Sequence, residues 1–516
     1  LSRQKSLSPD QLGEKIGRKP DADATADVAL PWEQALPVET GKITGCPDTV
    51  TLILANRIYM KLSDIPGTLA ARIKRMASFA NPVFFKTQAL RFSTHGIPRY
   101  ISCARIEQGY LSVPRGCFDE LQALLLGQGI TVNLDDRRLP GQVVNGISLK
   151  ATLRDEQNRA VEALAEHDTG VLHAPTAFGK TITAIGLIAK RQVNTLILTH
   201  SRQLLGQWQE RLETFIEGAS VGVIGGGKKK PSGQIDVATY QSLINKKDNT
   251  VSDLAKEYGQ IIIDECHHIS APRYEMLLNE VSARYVVGLT ATPDRQDGHQ
   301  KIMLMIAGPV RHKVRAEHSS QFVQHVIIRE RHEIPPAHIC QSHERPHIAS
   351  VYRWLAQNNA RNKDIVQDVA SCVNNQANCL LLTERREHAE ALAALLAAES
   401  ISSVVLRGGM RVKERQAAEV QLHKAQVIVA TGKYIGEGFD LPRLDTLFLA
   451  LPIAWKGTLS QYAGRIHRAV EGKQEVTIYD YLDTGLPMLE RMYRKREKGY
   501  KAMGYQFTAS GQNKLL

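Results

Sequence analysis

The chain has 516 residues, of which 43% are hydrophobic and 23% are charged, and its formal net charge is +12. A single hydrophobic core rarely serves so long a chain, so we expect about three domains in a soluble globular protein. No apolar run approaches the roughly 20 residues that span a bilayer, so we expect no membrane partner, and the basic balance favours a polyanion such as nucleic acid.

The N-terminal region, residues 1–45, is rich in Pro, Asp, Ala and Lys and lacks sustained periodicity. Such a composition buries too little apolar surface to order itself, and we predict a flexible linker. The sequence begins with Leu1 rather than Met and shows no secretion signal, so we expect further residues upstream and a cytoplasmic location. The seven scattered cysteines form no CxxC pair, which favours reduced thiols in that compartment.

Residues 46–148 contain short strand-like and helix-like runs, which predict a small basic α+β accessory domain, here named the front domain. Between residues 51 and 150, 13 Lys or Arg stand against 6 Asp or Glu. Basic and aromatic residues alternate in one part of it: Arg72, Lys74, Arg75, Phe84, Phe85, Lys86, Arg91, Phe92, Arg99 and Tyr100. Either these residues grip phosphates and stack on bases, or the aromatic side chains form the core of a packed domain.

From residue 149 onward, β-branched strands alternate with amphipathic helices, which is typical of a parallel sheet covered by helices. One series occupies residues 149–315 and a second occupies residues 359–516. The segment 316–358, rich in His and polar residues, is interpreted as the connection between them. The predicted fold class is therefore α/β, with two tandem parallel-sheet domains behind a small α+β domain.

A strand, GVLHAP, runs into APTAFGKT and then into a helix, which is the context of a phosphate-binding loop. Ala174 stands where the usual pattern has its first glycine. Lys180 would reach the β and γ phosphates of ATP, and Thr181 would hold Mg²⁺. The other predicted loop residues are Pro175, Thr176, Ala177, Phe178 and Gly179.

Two carboxylates, Asp264 and Glu265, directly follow the buried-strand run 261–263. Open α/β sheets present their catalytic groups at the carboxyl ends of strands. Asp264 is predicted to bind the Mg²⁺ shell and Glu265 to orient and polarise the attacking water.

Residues 150–485 contain an ordered series of motifs that resembles superfamily 2 helicases: LRDEQ, APTAFGKT, SRQLLGQW, IDVATYQSL, DECH, LTATP, LLLTERREHAEAL, VATGKYIGEGFDLP and QYAGRIHR. The resemblance implies two RecA-like domains that hydrolyse ATP with Mg²⁺. It also implies that Arg154 and Gln157 read adenine and that Gly438 and Asp440 approach the ATP.

The last motif supplies two arginines, Arg465 and Arg468, which lie three residues apart and would share a helix face. Both are predicted to reach the γ-phosphate from the second domain, with Arg468 as the arginine finger. The alternative is that both are ordinary surface charges.

The same resemblance implies residues that grip nucleic acid and residues that couple this grip to ATP. Thr290 and Thr292 would couple the two sites. Arg202, Thr239, Thr383 and Thr431 match positions that contact the phosphate backbone, which grip without reading sequence. For each threonine, a strand-end or capping role is the alternative.

DECH, the tripeptide 295–297 after TATP, and the front domain resemble the XPB-like branch of DNA helicases. The front half also resembles helicases of mobile-element and conflict systems, which often carry an upstream primase domain. We therefore predict an ATP-dependent DNA helicase. The alternatives are an RNA helicase, a duplex translocase serving a separate nuclease, and a nucleic-acid-binding scaffold with an idle ATP fold.

Overall fold

The computed structural model describes residues 41–175, 178–245, 247–291, 298–314, 323–340, 346–422, 424–435, 441–453, 456–467 and 473–508. Most of the predicted N-terminal linker, residues 1–40, lies outside this part of the chain. In the described remainder of the linker, the carbonyl of Gly41 accepts a 3.0 Å hydrogen bond from Arg72 of the front domain. Within the described residues, no helix is both long and apolar enough to cross a membrane.

The front domain is an α+β unit with a five-stranded sheet in the order β5-β6-β2-β1-β7. Its strands and helices are β1 Thr49–Leu54, β2 Ile58–Lys61, α1 Gly67–Met76, β3 Ser78–Ala80, α2 Pro82–Ala89, β4 Tyr100–Ser102, β5 Arg105–Glu107, β6 Tyr110–Val113, α3 Phe118–Gly127 and β7 Thr131–Asp136. Leu69 and Ile73 of α1 and Leu121 and Leu125 of α3 are fully buried against the sheet. Strands β3 and β4 pair with each other outside this sheet.

The first α/β domain contains an eight-stranded sheet in the order β13-β12-β14-β10-β15-β16-β9-β17, parallel except for the β12–β13 hairpin. Its elements are β8 Ser148–Leu149, α4 Asp155–Ala165, β9 Thr169–His173, α5 Lys180–Arg191, β10 Thr195–Thr199, α6 Arg202–Phe215, β11 Ile216–Glu217, β12 Val221–Gly225, β13 Lys228–Lys230, β14 Ile235–Thr239, β15 Gln260–Ile263, α7 Pro272–Glu280, β16 Tyr285–Thr290, α8 Gln300–Ala307 and β17 Val310–Lys313.

Strand β15 shows why this sheet is covered on both faces. Side chains alternate along a strand, and Ile261 and Ile263 enter one hydrophobic cluster while Ile262 enters the cluster on the opposite face. All three are fully buried. An uninterrupted apolar run is therefore required here, as in other doubly covered parallel sheets.

The second α/β domain contains a seven-stranded parallel sheet in the order β20-β21-β19-β22-β23-β18-β24. Its elements are β18 Val323–Arg331, α9 Ala337–Cys340, α10 Ile348–Gln357, α11 Asn359–Asn374, β19 Cys379–Thr383, α12 Arg386–Ala398, β20 Ser403–Leu406, α13 Val412–Gln421, β21 Val427–Thr431, α14 Gly432–Ile435, β22 Thr446–Leu449, α15 Lys456–Ile466, β23 Glu475–Asp483, α16 Pro487–Met503 and β24 Gln506–Thr508.

The segment interpreted as a connection, residues 316–358, contributes to this second domain. Strand β18 pairs in parallel along its whole length with β23, and α10 packs Val351 and Leu355 against α16. Charged residues interrupt the apolar pattern of β18 because it lies next to the sheet edge, where Arg329 pairs with Asp368 of α11. The second sheet therefore begins at residue 323, earlier than the boundary at 359.

The front domain is joined to the first α/β domain through two buried arginines. Arg57 donates a 2.9 Å hydrogen bond to Oδ1 of Asn279 in α7. Arg115 donates to the carbonyls of Ala283, at 3.0 Å, and of Val281, both just beyond α7. Burial lowers the pKa of Arg115 to about 10, the cost of holding a cation in this interface.

Candidate nucleotide site and nucleic-acid track

The phosphate loop leaves the carboxyl end of β9 and ends where α5 begins. Gly179, immediately before α5, has φ +93°, a left-handed conformation that favours glycine. A Cβ built on Gly179 would lie 2.6 Å from Nε2 of Gln157. Glycine is therefore required here for both its backbone conformation and the space it leaves.

Arg154 and Gln157 brace this loop from the start of α4. Both side chains donate to the carbonyl of Phe178, Gln157 at 2.8 Å. The Gln157 amide oxygen also accepts the backbone N–H of Arg154 at 3.0 Å. The two residues expected to read adenine thus lie against the phosphate loop, and Gln157 is buried there.

The first turn of α5 presents the phosphate-binding groups. Nζ of Lys180 lies 3.3 Å from the carbonyl of Ala174, so its side chain reaches back across the loop. Thr181 is half-buried in the same turn. Unpaired N–H groups and the helix dipole make such a terminus favourable for an anion. Pro175 begins the loop, whereas Thr176 and Ala177 lie outside the described residues.

Asp264 follows β15 at the carboxyl edge of the sheet and is 7% exposed. Its carboxylate accepts a 2.8 Å hydrogen bond from the indole N–H of Trp208 in α6. Burial raises the pKa of Asp264 to about 6, and the negative charge of Glu265 adds to this shift. The Trp208 hydrogen bond and the charge of Lys180 oppose it. An ionised Asp264 in this position favours a neighbouring cation.

Glu265 adopts a left-handed backbone conformation, with φ +46°. Non-glycine residues in this region store strain, and such residues concentrate at functional sites. Its carboxylate lies 3.4 Å from Nδ1 of His267, and the same ring nitrogen lies 3.3 Å from the hydroxyl of Thr290. The carbonyl of Thr290 accepts the N–H of Ala174 at 3.0 Å, so Thr290, predicted to be a coupling residue, contacts both the phosphate loop and His267.

The oxygen atoms of Asp264 and Thr181 are of the chemical kind that binds a magnesium ion. Mg²⁺ prefers hard oxygen ligands, usually one or two carboxylates together with substrate phosphates. Asp264 supplies a buried carboxylate and Thr181 supplies a hydroxyl at the start of α5. The charges of Asp264 and Glu265 together exceed the opposing charge of Lys180, and a divalent cation would balance the excess.

In the second domain, Arg465 lies in the last turn of α15 and is 9% exposed. It is therefore not an ordinary surface charge. On the same helix, the Tyr462 hydroxyl donates to Glu384 at 3.3 Å, which fixes α15 against the end of β19. Arg468, Gly438, Asp440 and Thr292 lie outside the described residues.

The residues expected to contact a phosphate backbone all follow or end parallel strands. Arg202 begins α6, directly after the Ser201 cap. Thr239 and Thr431 end β14 and β21 and are buried. The Thr383 hydroxyl is 2.8 Å from Nδ1 of His388 and 1% exposed, so it faces the protein interior.

Two features of this edge were missed at the level of sequence. Trp208 ends the motif SRQLLGQW, but nothing in that motif indicated that its indole N–H donates to Asp264. The strand Lys228–Lys230 is exposed and forms a hairpin with β12, whose carboxyl end meets that of β14. The run GGGKKK would have been the signal for a basic turn at this position.

Fold and site together define a P-loop nucleotide-binding motor with two tandem α/β domains. Residues 150–295 match the family model for the res subunit of type III restriction enzymes, and residues 361–470 match that for the helicase conserved C-terminal domain. The chain is also 15% identical to Dbp5 of S. cerevisiae, in a structure bound to RNA and ADP BeF3, with a TM-score of 0.51 over 69% of this chain and 89% of Dbp5. That likeness shows the fold.

Among curated relatives, the DNA 3'-5' translocase XPB2 of Sulfurisphaera tokodaii is 34% identical over 161 residues, which is 31% of this chain and 35% of that protein. Helicase D10 of Escherichia phage T5, named as a probable helicase, is 27% identical over 74% of this chain and 83% of its own length. The chain therefore contains two domains that match helicase-type family models, and proteins named as XPB and Rad25 helicases are among its relatives.

Proposed function

We propose that the chain is an ATP-dependent DNA helicase that couples hydrolysis of Mg²⁺-ATP to movement along DNA and separation of its strands. The observation that carries the proposal is the placement of Lys180 after β9 and of Asp264 and Glu265 after β15, at the same carboxyl edge of one parallel sheet. A scaffold with an idle ATP fold would have no need for a strained Glu265 beside a buried Asp264.

In this proposal, Lys180 and the first turn of α5 bind the β and γ phosphates. Thr181 and Asp264 hold Mg²⁺, which supplies charge neutralisation on the phosphates when bound. Glu265 orients a water molecule and takes its proton as the water oxygen bonds to the γ-phosphorus. The bond to the bridging oxygen breaks, giving ADP and phosphate, and the proton leaves Glu265 for solvent.

The second α/β domain of the same chain completes the site. Arg465 and Arg468 belong to that domain, so their stabilisation of the departing phosphoryl group requires both domains to close on one ATP. ATP binding then favours the closed arrangement and hydrolysis releases it. This alternation is the means by which a P-loop site produces movement.

DNA is preferred to RNA as the track because relatives are named as DNA translocases and helicases. The names of those proteins give a 3'-5' polarity, which supports the same polarity here. ATPase assays with single-stranded DNA, duplex DNA and RNA test this choice. We expect single-stranded DNA to stimulate turnover most, and stimulation by RNA alone would overturn the assignment to DNA.

A second candidate is a duplex translocase that moves without separating strands and serves another enzyme. The description of the first-domain family as a restriction enzyme subunit favours a nuclease as that partner, and an upstream primase domain is the alternative. Strand-displacement and triplex-displacement assays run in parallel separate the two functions. A helicase releases the labelled strand of a forked duplex, whereas a translocase displaces only the third strand of a triplex.

A further inference from the structure

The front domain carries an excursion, residues 78–102, that stands apart from its sheet and is here named the arm. It consists of β3, α2, a loop and β4, and its two ends are closed by antiparallel pairing of Phe79 with Ile101. Asn81 fixes the interior of the arm by donating to the carbonyl of Pro98 at 2.8 Å and accepting the N–H of Val83 at 3.1 Å. The arm is thus an ordered unit with its own capping contacts.

The outer surface of the arm is aromatic and apolar. Phe92 is 68% exposed and Tyr100 is 45% exposed, while Phe84 and Phe85 are half-buried. Helix α2 has no buried residue. The interpretation in which these aromatic side chains form the core of the domain is therefore wrong, because Phe79 takes the buried position instead.

Charge on and around the arm has one sign. From residue 65 to residue 106 the sequence contains seven Lys or Arg and no Asp or Glu. The Arg99 guanidinium lies 5.8 Å from the ring centroids of both Phe85 and Tyr100, so a planar cation is placed between two rings. Aromatic rings and arginine planes on a basic surface are the groups on which nucleic-acid bases stack.

The base of the arm is fixed to the first α/β domain. Phe79 and Cys103 belong to the hydrophobic core of that domain. A Cβ built on Gly298 would lie 2.5 Å from Cγ of Pro82, and Gly298 itself has φ +72°. Gly298 lies eight positions after Thr290, the last residue of β16, so this approach attaches the arm to the first α/β domain.

A second contact, between Gly116 and α8, joins the front domain to the first α/β domain. A Cβ built on Gly116 of the front domain would lie 2.3 Å from the carbonyl of Leu304 in α8. Met303 of α8 is 3.4 Å, sulfur to sulfur, from Cys266, which directly follows Glu265. Helix α8 therefore contacts both Cys266, the neighbour of Glu265, and the front domain that carries the arm.

We propose that the arm is a stacking platform for unpaired bases of nucleic acid, with Phe92 and Tyr100 as the stacking rings and Arg91 and Arg99 as phosphate contacts. This inference rests on the proposed function, because it attaches the platform to the first domain of a DNA motor. An unpaired strand fits better than a duplex, since the rings can stack only on bases that are not enclosed in a helix.

The first test measures affinity without ATP, using fluorescently labelled single-stranded, forked and blunt duplex DNA. Phe92→Ala combined with Tyr100→Ala should weaken binding to the single strand and the fork about 30-fold or more and leave blunt duplex unchanged. The control is Leu126→Ala, because Leu126 is 72% exposed in the same domain but lies on α3. Unchanged affinity for the fork, or an equal loss on blunt duplex, would overturn the platform.

The second test measures the salt dependence of binding to single-stranded DNA. Arg91→Ala with Arg99→Ala should reduce the slope of log K against log salt concentration by about 1 to 2, because each phosphate contact releases a counterion. The control is Lys61→Ala, an exposed cation on β2. An unchanged slope in the double variant contradicts the assignment of phosphate contacts.

The two proposals fail separately in these assays. DNA-stimulated ATP hydrolysis by the unmodified chain tests the motor, and the binding ratios test the arm. If DNA stimulates ATP hydrolysis by the unmodified chain but the arm variants bind forks normally, the platform proposal is overturned and the motor proposal stands. Because Phe92 and Tyr100 are exposed, thermal unfolding of the variants should match that of the unmodified chain, which keeps the binding result interpretable.

Discussion

The indole N–H of Trp208 donates a 2.8 Å hydrogen bond to Oδ2 of Asp264, joining the middle of α6 to the end of β15. Trp208 is 1% exposed and belongs to the core of the first α/β domain, so its ring cannot easily turn away. The carboxylate that would face magnesium is therefore oriented by a side chain of the domain core. Such outer contacts tune ligand geometry and charge at metal sites.

Trp208→Phe should raise the Mg²⁺ concentration needed for half-maximal ATPase activity about tenfold, because it removes the donor while keeping an aromatic ring in the core. The measurement is a magnesium titration at saturating ATP. Trp354→Phe, a partly buried ring in the second domain, is the matched control. A normal magnesium dependence with reduced thermal stability would show that Trp208 only packs.

Glu265→Gln should bind ATP with near-normal affinity and lose turnover by at least 100-fold, because the amide keeps the shape of the side chain but accepts no proton. Fluorescent nucleotide binding and phosphate release measure the two effects separately. The left-handed backbone at this position tolerates Gln as well as Glu, so the fold should be retained. Turnover equal to that of the unmodified chain would exclude Glu265 as the base.

Arg468→Ala should reduce turnover about 1,000-fold and ATP affinity far less, as expected for a group that acts on the departing phosphoryl. Arg465→Ala should reduce turnover as well and, being buried, should also lower the stability of the second domain. Single-turnover hydrolysis and thermal unfolding distinguish the two. Loss of ATP affinity equal to the loss of rate would indicate uniform binding rather than an arginine finger.

Much of the fold was predictable because strands buried on both faces of a parallel sheet have uninterrupted apolar sequences. The three isoleucines at 261–263 are typical of a strand that is covered on both faces. Asp264 and Glu265 follow this strand directly and therefore lie at its carboxyl end. Strand β18 escaped prediction because it lies near a sheet edge, where Arg329 and its ion pair with Asp368 replace apolar residues. Local pattern alone does not report such partners.

The candidate site was predictable to the extent that its residues adjoin strand ends in sequence. Lys180, Asp264 and Glu265 each follow a strand or begin a helix directly. The roles of Trp208 and Arg115 depend on contacts with residues 56 and 166 positions away, respectively, and no periodicity records those distances. Thr383 was expected at a phosphate backbone, but its hydroxyl turns inward to His388.

Arg115→Met should loosen the front domain from the first α/β domain, because the carbonyls of Ala283 and Asn56 lose their 3.0 Å donors inside the interface. The expected cost is about 3 kcal/mol. Limited proteolysis of the segment 139–147, between the two domains, measures the loosening as faster cleavage. Arg105→Met, which changes an exposed arginine of the same domain, should cleave at the normal rate.

A buried polar chain in the second domain predicts a pH-dependent loss of stability. His388 Nδ1 is 2.8 Å from the Thr383 hydroxyl and Nε2 is 2.9 Å from Oδ1 of Asn362. Asn362 Oδ1 accepts only, so neutral His388 carries its proton on Nε2 and accepts the hydroxyl proton at Nδ1. Burial, then the charges of Arg361 and Arg385, lower the pKa of His388 to about 3.

Because the folded state disfavours the protonated ring, this stability is fully present above the ordinary histidine pKa of about 6.5 and is lost as the pH falls toward 3. Between pH 7 and pH 5 the loss should be about 2 kcal/mol, measured by hydrogen exchange of the amides of β19. His388→Gln keeps one donor and one acceptor but cannot titrate, so its stability should change less over this range. His95→Gln, an exposed control, should leave the loss intact, and an equal loss in His388→Gln would assign it to other groups such as half-buried His467.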